Sequence, residues 1–248
     1  MGAGPIIELA NLRKDYRLGD ETLVALEDVS LSVARGEFIS LVGPSGCGKS
    51  TLLNIIAGLI PKSAGTAKLA AKDIVGASRQ IGMMFQTPVL LPWRTNLENV
   101  LLPVEVFGLS KRDYIDRARL LLDLVGLGPF IERYPNELSG GMQQRVAICR
   151  MLLCDPDVLL MDEPFSALDE MTREFLNMEL LRIWQERRKT VVFVTHNIGE
   201  ADRIGVMSAR PGRLLQVVDI ELARPRTKAT LVDPQYFRQV ARVRGFFG

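Results

Sequence analysis

Cysteine and histidine are scarce in this 248-residue sequence, which contains three cysteines and one histidine. The cysteines, Cys47, Cys149 and Cys154, are odd in number and show no metal-ligand spacing. They therefore indicate neither a metal centre nor a disulfide framework. Cys149 and Cys154 lie in apolar stretches, where we expect them to be buried as small hydrophobic residues.

Long apolar runs and a strong excess of one charge are also absent. The longest apolar run, Leu52 to Ile60, is too short to span a bilayer, and Met1 to Pro5 lack the basic and apolar regions of a signal peptide. The 31 basic and 29 acidic residues give a net charge of +2, so nucleic-acid binding is not indicated. We expect a cytoplasmic protein that reaches a membrane only through a partner.

A glycine-rich stretch fits the phosphate-loop pattern G-x-x-x-x-G-K-[ST] in full. A strand-like segment, Glu37 to Val42, precedes it, and a helix-forming segment, Thr51 to Leu59, follows. Backbone N–H groups of such a loop point at phosphate oxygens. An ordinary glycine-rich surface turn is the alternative, but the two flanks favour nucleotide binding. The predicted nucleotide-binding residues are Gly43, Pro44, Ser45, Gly46, Cys47, Gly48, Lys49, Ser50 and Thr51.

Two residues of this loop have predicted roles of their own. Lys49 would reach the β- and γ-phosphates of the nucleotide, and the Ser50 hydroxyl would hold Mg²⁺. The sequence therefore predicts a nucleoside triphosphate and Mg²⁺ as ligands.

The rest of the chain alternates between strand and helix patterns. Residues 6–16 and 23–33 predict two strands, and the bare apolar run Val158 to Met161 predicts a central parallel strand. Residues 87–155 predict a helical block inserted into this α/β frame. A long helix is predicted over 170–187, and a strand over 190–195 follows it.

Local signals mark the ends of helices in the inserted block. Thr95 to Glu98 and Ser110 to Asp113 each have the pattern of a capping box. Pro103 is expected to end or kink the first of these helices. Ser139 is expected to cap a further helix, whose glycines leave its N-terminus open to an anion. Taken alone, Ser139 is better explained as an ordinary cap.

Two carboxylates end the predicted central strand, and the single histidine follows another buried strand. Asp162 would orient Mg²⁺ through its water shell, and Glu163 would polarise the attacking water. The alternative is a merely polar strand end. A lone histidine is more often structural than catalytic, but His196 lies where a strand end meets the ligand crevice of an open α/β sheet, which favours function.

The stretch Leu138 to Arg145, together with the phosphate loop, resembles the signature motif of ATP-binding cassette (ABC) ATPases. The resemblance extends from Ile6 to about Ile220. It implies a P-loop NTPase with a RecA-like core, an N-terminal antiparallel β subdomain and an inserted α-helical subdomain. The implied divisions are 1–86 with 156–223 for the core, 87–155 for the helical subdomain and 224–248 for a basic tail.

The resemblance also implies roles for individual residues. Tyr16 corresponds to the adenine-stacking aromatic, and a half-buried strand tyrosine is its alternative. Gln86 corresponds to the glutamine that touches Mg²⁺ and relays to the membrane partner, and His196 to a switch histidine at the γ-phosphate. The residues implied to contact the nucleotide of a partner subunit are Ser139, Gly140, Gly141 and Asp169. Asn197 departs from the family, which usually has aspartate there.

Two stretches, 91–100 and 208–213, resemble ATPases of nitrate, taurine and alkanesulfonate importers. The implied protein is a homodimer at the cytoplasmic face of the membrane, working with separate permease subunits and an extracytoplasmic solute-binding protein, and without nucleic acid. Trp93 is expected at the permease interface, with a core position as its alternative. An ABC exporter or lipid-transport ATPase, or a non-transport ABC ATPase, remains the alternative function.

Overall fold

A computed structural model describes residues 4–165, 168, 170–195, 201–222, 230 and 233–246. The chain falls into two compact units, residues 1–78 with 183–248, and residues 79–182. The strands are β1 (Ile7–Leu18), β2 (Glu21–Val33), β3 (Phe38–Val42), β4 (Ala64–Leu69), β5 (Lys72–Asp73), β6 (Ile81–Met84), β7 (Val158–Asp162), β8 (Thr190–Val194), β9 (Arg203–Met207) and β10 (Leu214–Asp219). The helices are α1 (Lys49–Ile56), α2 (Asn96–Val106), α3 (Lys111–Leu124), α4 (Gly140–Leu152), α5 (Glu170–Arg187) and α6 (Pro234–Arg244).

The first unit contains an antiparallel sheet in the order β2-β1-β4-β5. In the second half of β2, buried Leu26, Val29, Leu31 and Val33 alternate with more exposed polar residues. This period of two leaves one face of the strand for the core and the other for water. The register places Tyr16 opposite Leu23 near the turn that joins β1 to β2.

The same unit contains a second sheet in which β3 pairs in parallel with both β8 and β9, and β10 pairs antiparallel with β9. Every residue of β3 and β8 is buried, as expected for parallel strands covered on both faces. Phe38 anchors the packing, with edge-to-face contacts to Trp184 and Phe193 at centroid distances of 5.8 and 5.9 Å. The phosphate-loop stretch leaves this sheet at the end of β3.

The second unit pairs β6 with β7 in parallel and packs α2, α3 and α4 around a common apolar core. The capping box at the start of α2 is confirmed: Thr95 Oγ1 accepts from the Glu98 N–H at 3.2 Å, and Glu98 accepts from the Thr95 N–H at 2.8 Å. Fully buried Val100, Val104 and Leu122 belong to the core that these helices share.

Pro103 lies inside helix α2, which continues to Val106, so this proline does not end the helix. The expectation of a second capping box is wrong. Ser110 occupies the N-cap of α3, but its side chain makes no capping hydrogen bond, so the second capping box does not form. The Asp113 N–H instead donates to the Ser110 backbone carbonyl at 3.1 Å.

Part of the basic tail folds as α6. Asp233 is the N-cap of this helix, and its carboxylate accepts a hydrogen bond from the Gln235 N–H at 2.7 Å. Val243 and Gln239 are its buried side chains. Arg224, Arg226 and Lys228 lie outside the described residues. Within the described ranges, every helix falls short of the length and apolarity that a bilayer crossing requires.

Candidate functional site

The phosphate-loop stretch forms a tight turn between β3 and α1. Gly46 and Gly48 have positive φ angles of 73° and 100°, which glycine adopts without steric cost. A Cβ atom on Gly48 would lie 2.7 Å from Leu26 Cδ2 and 3.0 Å from the Ala25 carbonyl oxygen, so no larger residue fits there. The first turn of α1 contains no acidic residue, and its N-terminal N–H groups therefore suit an anion.

Lys49 is the buried cation of this turn, with 7% of its surface exposed. Its ammonium group donates to the carbonyl oxygens of Gly43 at 2.9 Å and Pro44 at 3.0 Å. The thiol of buried Cys47 lies 3.8 Å away. A phosphate is a stronger acceptor for an ammonium group than a neutral carbonyl, so the turn can exchange these internal bonds for an anionic ligand.

Tyr16 lies near the end of β1 and is half-buried. Lys14, two residues earlier, has its ammonium nitrogen 4.9 Å from the centroid of the Tyr16 ring. That nitrogen also donates to the Pro61 carbonyl at 2.8 Å, and only 9% of Lys14 is exposed. Lys14 was not predicted from the sequence, although its spacing of two residues from Tyr16 places both side chains on one face of the strand.

Asp162 ends β7, and both it and Glu163 are half-buried. The backbone of Glu163 has φ of +45°, the left-handed region that residues with a Cβ atom rarely adopt. The next residue, Pro164, accepts a hydrogen bond on its carbonyl from the side-chain amide of Gln144 on α4. Gln144 was also missed, and no local sequence signal distinguishes it from Gln143 beside it.

The start of α4 matches the expectation for Ser139. Its hydroxyl accepts from the Met142 N–H at 3.3 Å, so the serine caps the helix. Ser139 and Gly140 are exposed, and a Cβ atom on Gly140 would meet nothing within 4 Å. This helix end therefore leaves space for a ligand or a second protein surface.

Gln86 is exposed, two residues beyond the end of β6. A pocket of about 370 Å³ lies in the same unit and is lined mainly by apolar side chains, among them Phe85, Val89, Val106 and Phe107. Trp93, in the loop before α2, is 71% exposed, which excludes a core position.

The predicted site residues are divided between the two units. Tyr16 and the phosphate loop belong to the first unit, and Gln86, the start of α4, Asp162 and Glu163 belong to the second. Within the second unit, Gln144 joins α4 to the turn after Glu163. His196, Asn197 and Asp169 lie outside the described residues.

The residues present fit an ATP–Mg²⁺ complex. The glycines of the phosphate loop leave its backbone close to a ligand, and the exposed Ser50 hydroxyl lies in the first turn of α1. In ATPase sites Mg²⁺ takes few protein ligands and completes its shell with water and phosphate oxygens. The Ser50 hydroxyl is therefore a suitable protein ligand for such an ion.

Comparison with known proteins identifies the family. The protein-family model described as ABC transporter matches residues 26–166 of this chain. The aliphatic sulfonates import ATP-binding protein of Bacillus cereus is 42% identical over 230 residues, covering 90% of each chain. The taurine import ATP-binding protein of Jannaschia sp. is 43% identical over 245 residues, 97% of this chain and 91% of that one. The nitrate import ATP-binding protein of Synechocystis sp. is 40% identical over 242 residues, 94% and 91% of the two chains.

A solved structure supports the same identification. The dimeric ATP-binding cassette MJ0796, bound to ADP and Pi, superimposes with a TM-score of 0.78 at 36% identity, covering 88% of this chain and 100% of that one. The predicted α/β P-loop NTPase fold is confirmed by this match. The chain belongs to the ABC transporter ATP-binding family, and it is an ATPase.

Proposed function

We propose that this ATPase energises an importer for a small solute such as nitrate, taurine or an alkanesulfonate. The support is that three relatives are import ATP-binding proteins for these solutes, each aligned over at least nine-tenths of this chain. In this proposal the chain lies at the cytoplasmic face of the membrane, beneath separate permease subunits. An extracytoplasmic solute-binding protein delivers the solute, and nucleic acid takes no part.

One observation supports the proposed nucleotide site. The buried Lys49 lies where a glycine-rich turn leads into α1, and the first turn of this helix contains no acidic residue. Tyr16 stacks on adenine, and residues 43–51 bind the phosphates. Ser50, Gln86 and Asp162 would hold Mg²⁺, which when bound neutralises charge on the β- and γ-phosphates.

Glu163 is proposed as the group that activates water. It accepts a proton from the water that attacks the γ-phosphorus, while the bond from that phosphorus to the bridging oxygen breaks to release ADP. The positive φ of Glu163 is consistent with this role, since backbone strain is concentrated at functional sites. His196 is proposed to contact the γ-phosphate.

A homodimer is proposed to complete each site. The exposed start of α4, Ser139 to Gly141, would contact the nucleotide held by the other subunit, and Asp169 would contribute a further contact to it. A two-fold axis provides this contact twice, since each chain offers both halves of the site. The open space around Gly140 supports the arrangement.

The permease is proposed to dock on the second unit. Its apolar pocket of about 370 Å³ suits a short apolar segment of another chain, and exposed Trp93 lies on the segment that follows Gln86.

We also propose the division into a core of 1–86 with 156–223, a helical subdomain of 87–155 and a basic tail of 224–248.

The dimer provides the test. Glu163→Gln should stop hydrolysis while ATP remains bound, so this variant should sediment as a monomer with ADP and as a dimer with ATP. Adding Ser139→Arg should abolish the dimer and leave ATP binding to the monomer measurable. Ser110→Arg is the matched control, because Ser110 is also an exposed helix N-cap but lies on α3. An oligomer that forms without ATP, or a dimer insensitive to Ser139→Arg, contradicts the shared site.

A further inference from the structure

The turn between β9 and β10, residues 208–213, packs directly against the phosphate loop. A Cβ atom on Gly212 would lie 1.9 Å from the Cys47 carbonyl oxygen and 3.2 Å from Leu26 Cδ2. At this distance even one methyl group has no space. The backbone of the turn is therefore in van der Waals contact with the backbone of the loop.

Hydrogen bonds hold this turn against β2 as well. The Gly212 N–H donates to the Ala25 carbonyl at 3.0 Å, and the Glu27 N–H donates to the Gly212 carbonyl at 3.0 Å. These two bonds form a parallel bridge centred on Leu26. Leu26 is the residue whose side chain excludes a Cβ at Gly48. The turn thus lies between β2 and the phosphate loop and touches both.

Arg210 adds a charged contact to the tip of the loop. Its Nη2 and Nε atoms lie 3.2 and 3.4 Å from the Gly46 carbonyl oxygen. A peptide unit is planar, with its C=O and N–H pointing in opposite directions. Holding the Gly46 carbonyl therefore orients the N–H of Cys47, which closes the loop on the Pro44 carbonyl at 3.3 Å. The Pro44 carbonyl also accepts from Lys49.

Hydrogen bonds within the turn hold the backbone from which the Arg210 side chain extends. The Arg213 N–H donates to Ser208 Oγ at 2.9 Å, and the Ser208 N–H donates to the Arg213 carbonyl at 2.9 Å. The Arg213 side chain pairs with Glu27 on β2, its Nε lying 3.1 Å from Glu27 Oε2.

We propose that Arg210 is a positioning residue for the phosphate loop and that Gly212 is the close contact that sets where the loop lies. The proposal rests on the nucleotide site proposed above. Arg210 acts through the backbone of Gly46 to keep the loop in the shape that receives phosphates. It thereby lowers the conformational cost of binding ATP or ADP.

The test measures ATP and ADP affinity of the full chain by calorimetry, together with its melting temperature. Arg210→Ala should weaken both nucleotides roughly fivefold, the scale of one exposed hydrogen bond. Its melting temperature should stay the same, because truncating an exposed side chain leaves no buried group unpaired. Arg210→Lys should recover most of the affinity, since an ammonium can still donate to the Gly46 carbonyl. Gly212→Ala should weaken binding further than Arg210→Ala.

Arg213→Ala is the matched control, because it removes a cation of the same turn that pairs with Glu27, and its nucleotide affinity should equal that of the parent. Equal affinity of Arg210→Ala and the parent, or equal losses in Arg210→Ala and Arg213→Ala, overturns the proposal. If Lys49→Ala also binds ATP like the parent, the nucleotide site itself is wrongly placed. If Lys49→Ala loses affinity and Arg210→Ala does not, only the role of Arg210 is wrong.

Discussion

Gln144 on α4 donates a hydrogen bond to the backbone carbonyl of Pro164, the residue that follows Glu163. Gln144 is only 3% exposed, so loss of its amide would leave that carbonyl buried without this donor. An unpaired buried carbonyl costs about 1–3 kcal/mol, enough to let the turn relax. Because Glu163 holds a positive φ, this hydrogen bond helps to keep its backbone in an unfavourable conformation.

Gln144→Met keeps the side-chain length and removes the donor. We expect its kcat for ATP to fall by about tenfold, as for a catalytic group displaced in the transition state, while ATP affinity is retained. Steady-state kinetics with a separate binding titration measure the two effects. In the Glu163→Gln background the same change should have no further effect on residual hydrolysis. Additive losses would show that Gln144 acts elsewhere.

Lys49→Ala should abolish ATP hydrolysis and weaken ATP binding without unfolding the chain. Lys49 is the only cation within residues 43–51, and charge-assisted hydrogen bonds to phosphate are among the strong ones. ATPase assays, a binding titration and a melting curve measure the three properties. Lys72→Ala, an exposed lysine on β5, is the control. Hydrolysis near the parental rate in Lys49→Ala would mean that the phosphate site lies elsewhere.

Tyr16→Ala should raise KM for ATP about fivefold with a smaller change in kcat. The reason is that the proposed stacking of the Tyr16 ring on adenine is worth about 1 kcal/mol and is equal in the ground and transition states. Lys14→Met should raise KM as well, because Lys14 holds the ring through its ammonium group. In the Tyr16→Ala background Lys14→Met should have no further effect on KM. A fall in kcat with unchanged KM in Tyr16→Ala would assign the tyrosine to the core.

Trp93→Ala should keep the basal ATPase rate of the isolated chain and lose stimulation by the assembled transporter. The reason is its exposure on the segment that follows Gln86. The measurement compares ATPase rates of the isolated chain and of the reconstituted complex. Leu215→Ala, an exposed apolar residue of the first unit, is the control and should be stimulated normally. Normal stimulation of Trp93→Ala would exclude it from the permease interface.

Glu105 pairs with Lys111 at 2.6 Å and with Arg94, the neighbour of Trp93, at 2.7 Å. Hydrogen bonds from Lys111 and then Arg94 lower the pKa of the Glu105 carboxyl below its usual 4.5. Because the pKa of Glu105 is lower in the folded state than in the unfolded state, its ionised form stabilises the fold at pH values above the unfolded-state pKa. This stabilisation is lost as the pH falls through the folded-state pKa. Glu105→Gln should therefore lower the free energy of unfolding by roughly 0.5 kcal/mol at pH 7. Denaturant melts should show this difference vanish in acid, and a constant difference down to pH 2 contradicts the pairing.

The sequence by itself determined the turns and helix caps of this protein whose hydrogen bonds join residues close together in the chain. The phosphate loop was predicted from its glycines and flanks, and the structure has β3 ending before it and α1 beginning within it. The capping box at Thr95 and the cap at Ser139 form as expected, because each bond spans only three residues. The stretch Leu138 to Arg145, together with the phosphate loop, also sufficed to indicate the family through its resemblance to ABC ATPases.

Tertiary structure alone decided the contacts that join distant parts of the chain. Gln144 meets Pro164 across 20 residues, and Arg210 meets Gly46 across 164. Such pairs leave no periodic pattern, because the partner is a backbone carbonyl that every residue possesses. Which carbonyl a side chain reaches depends on how strands and helices pack, and that packing exists only in the folded chain.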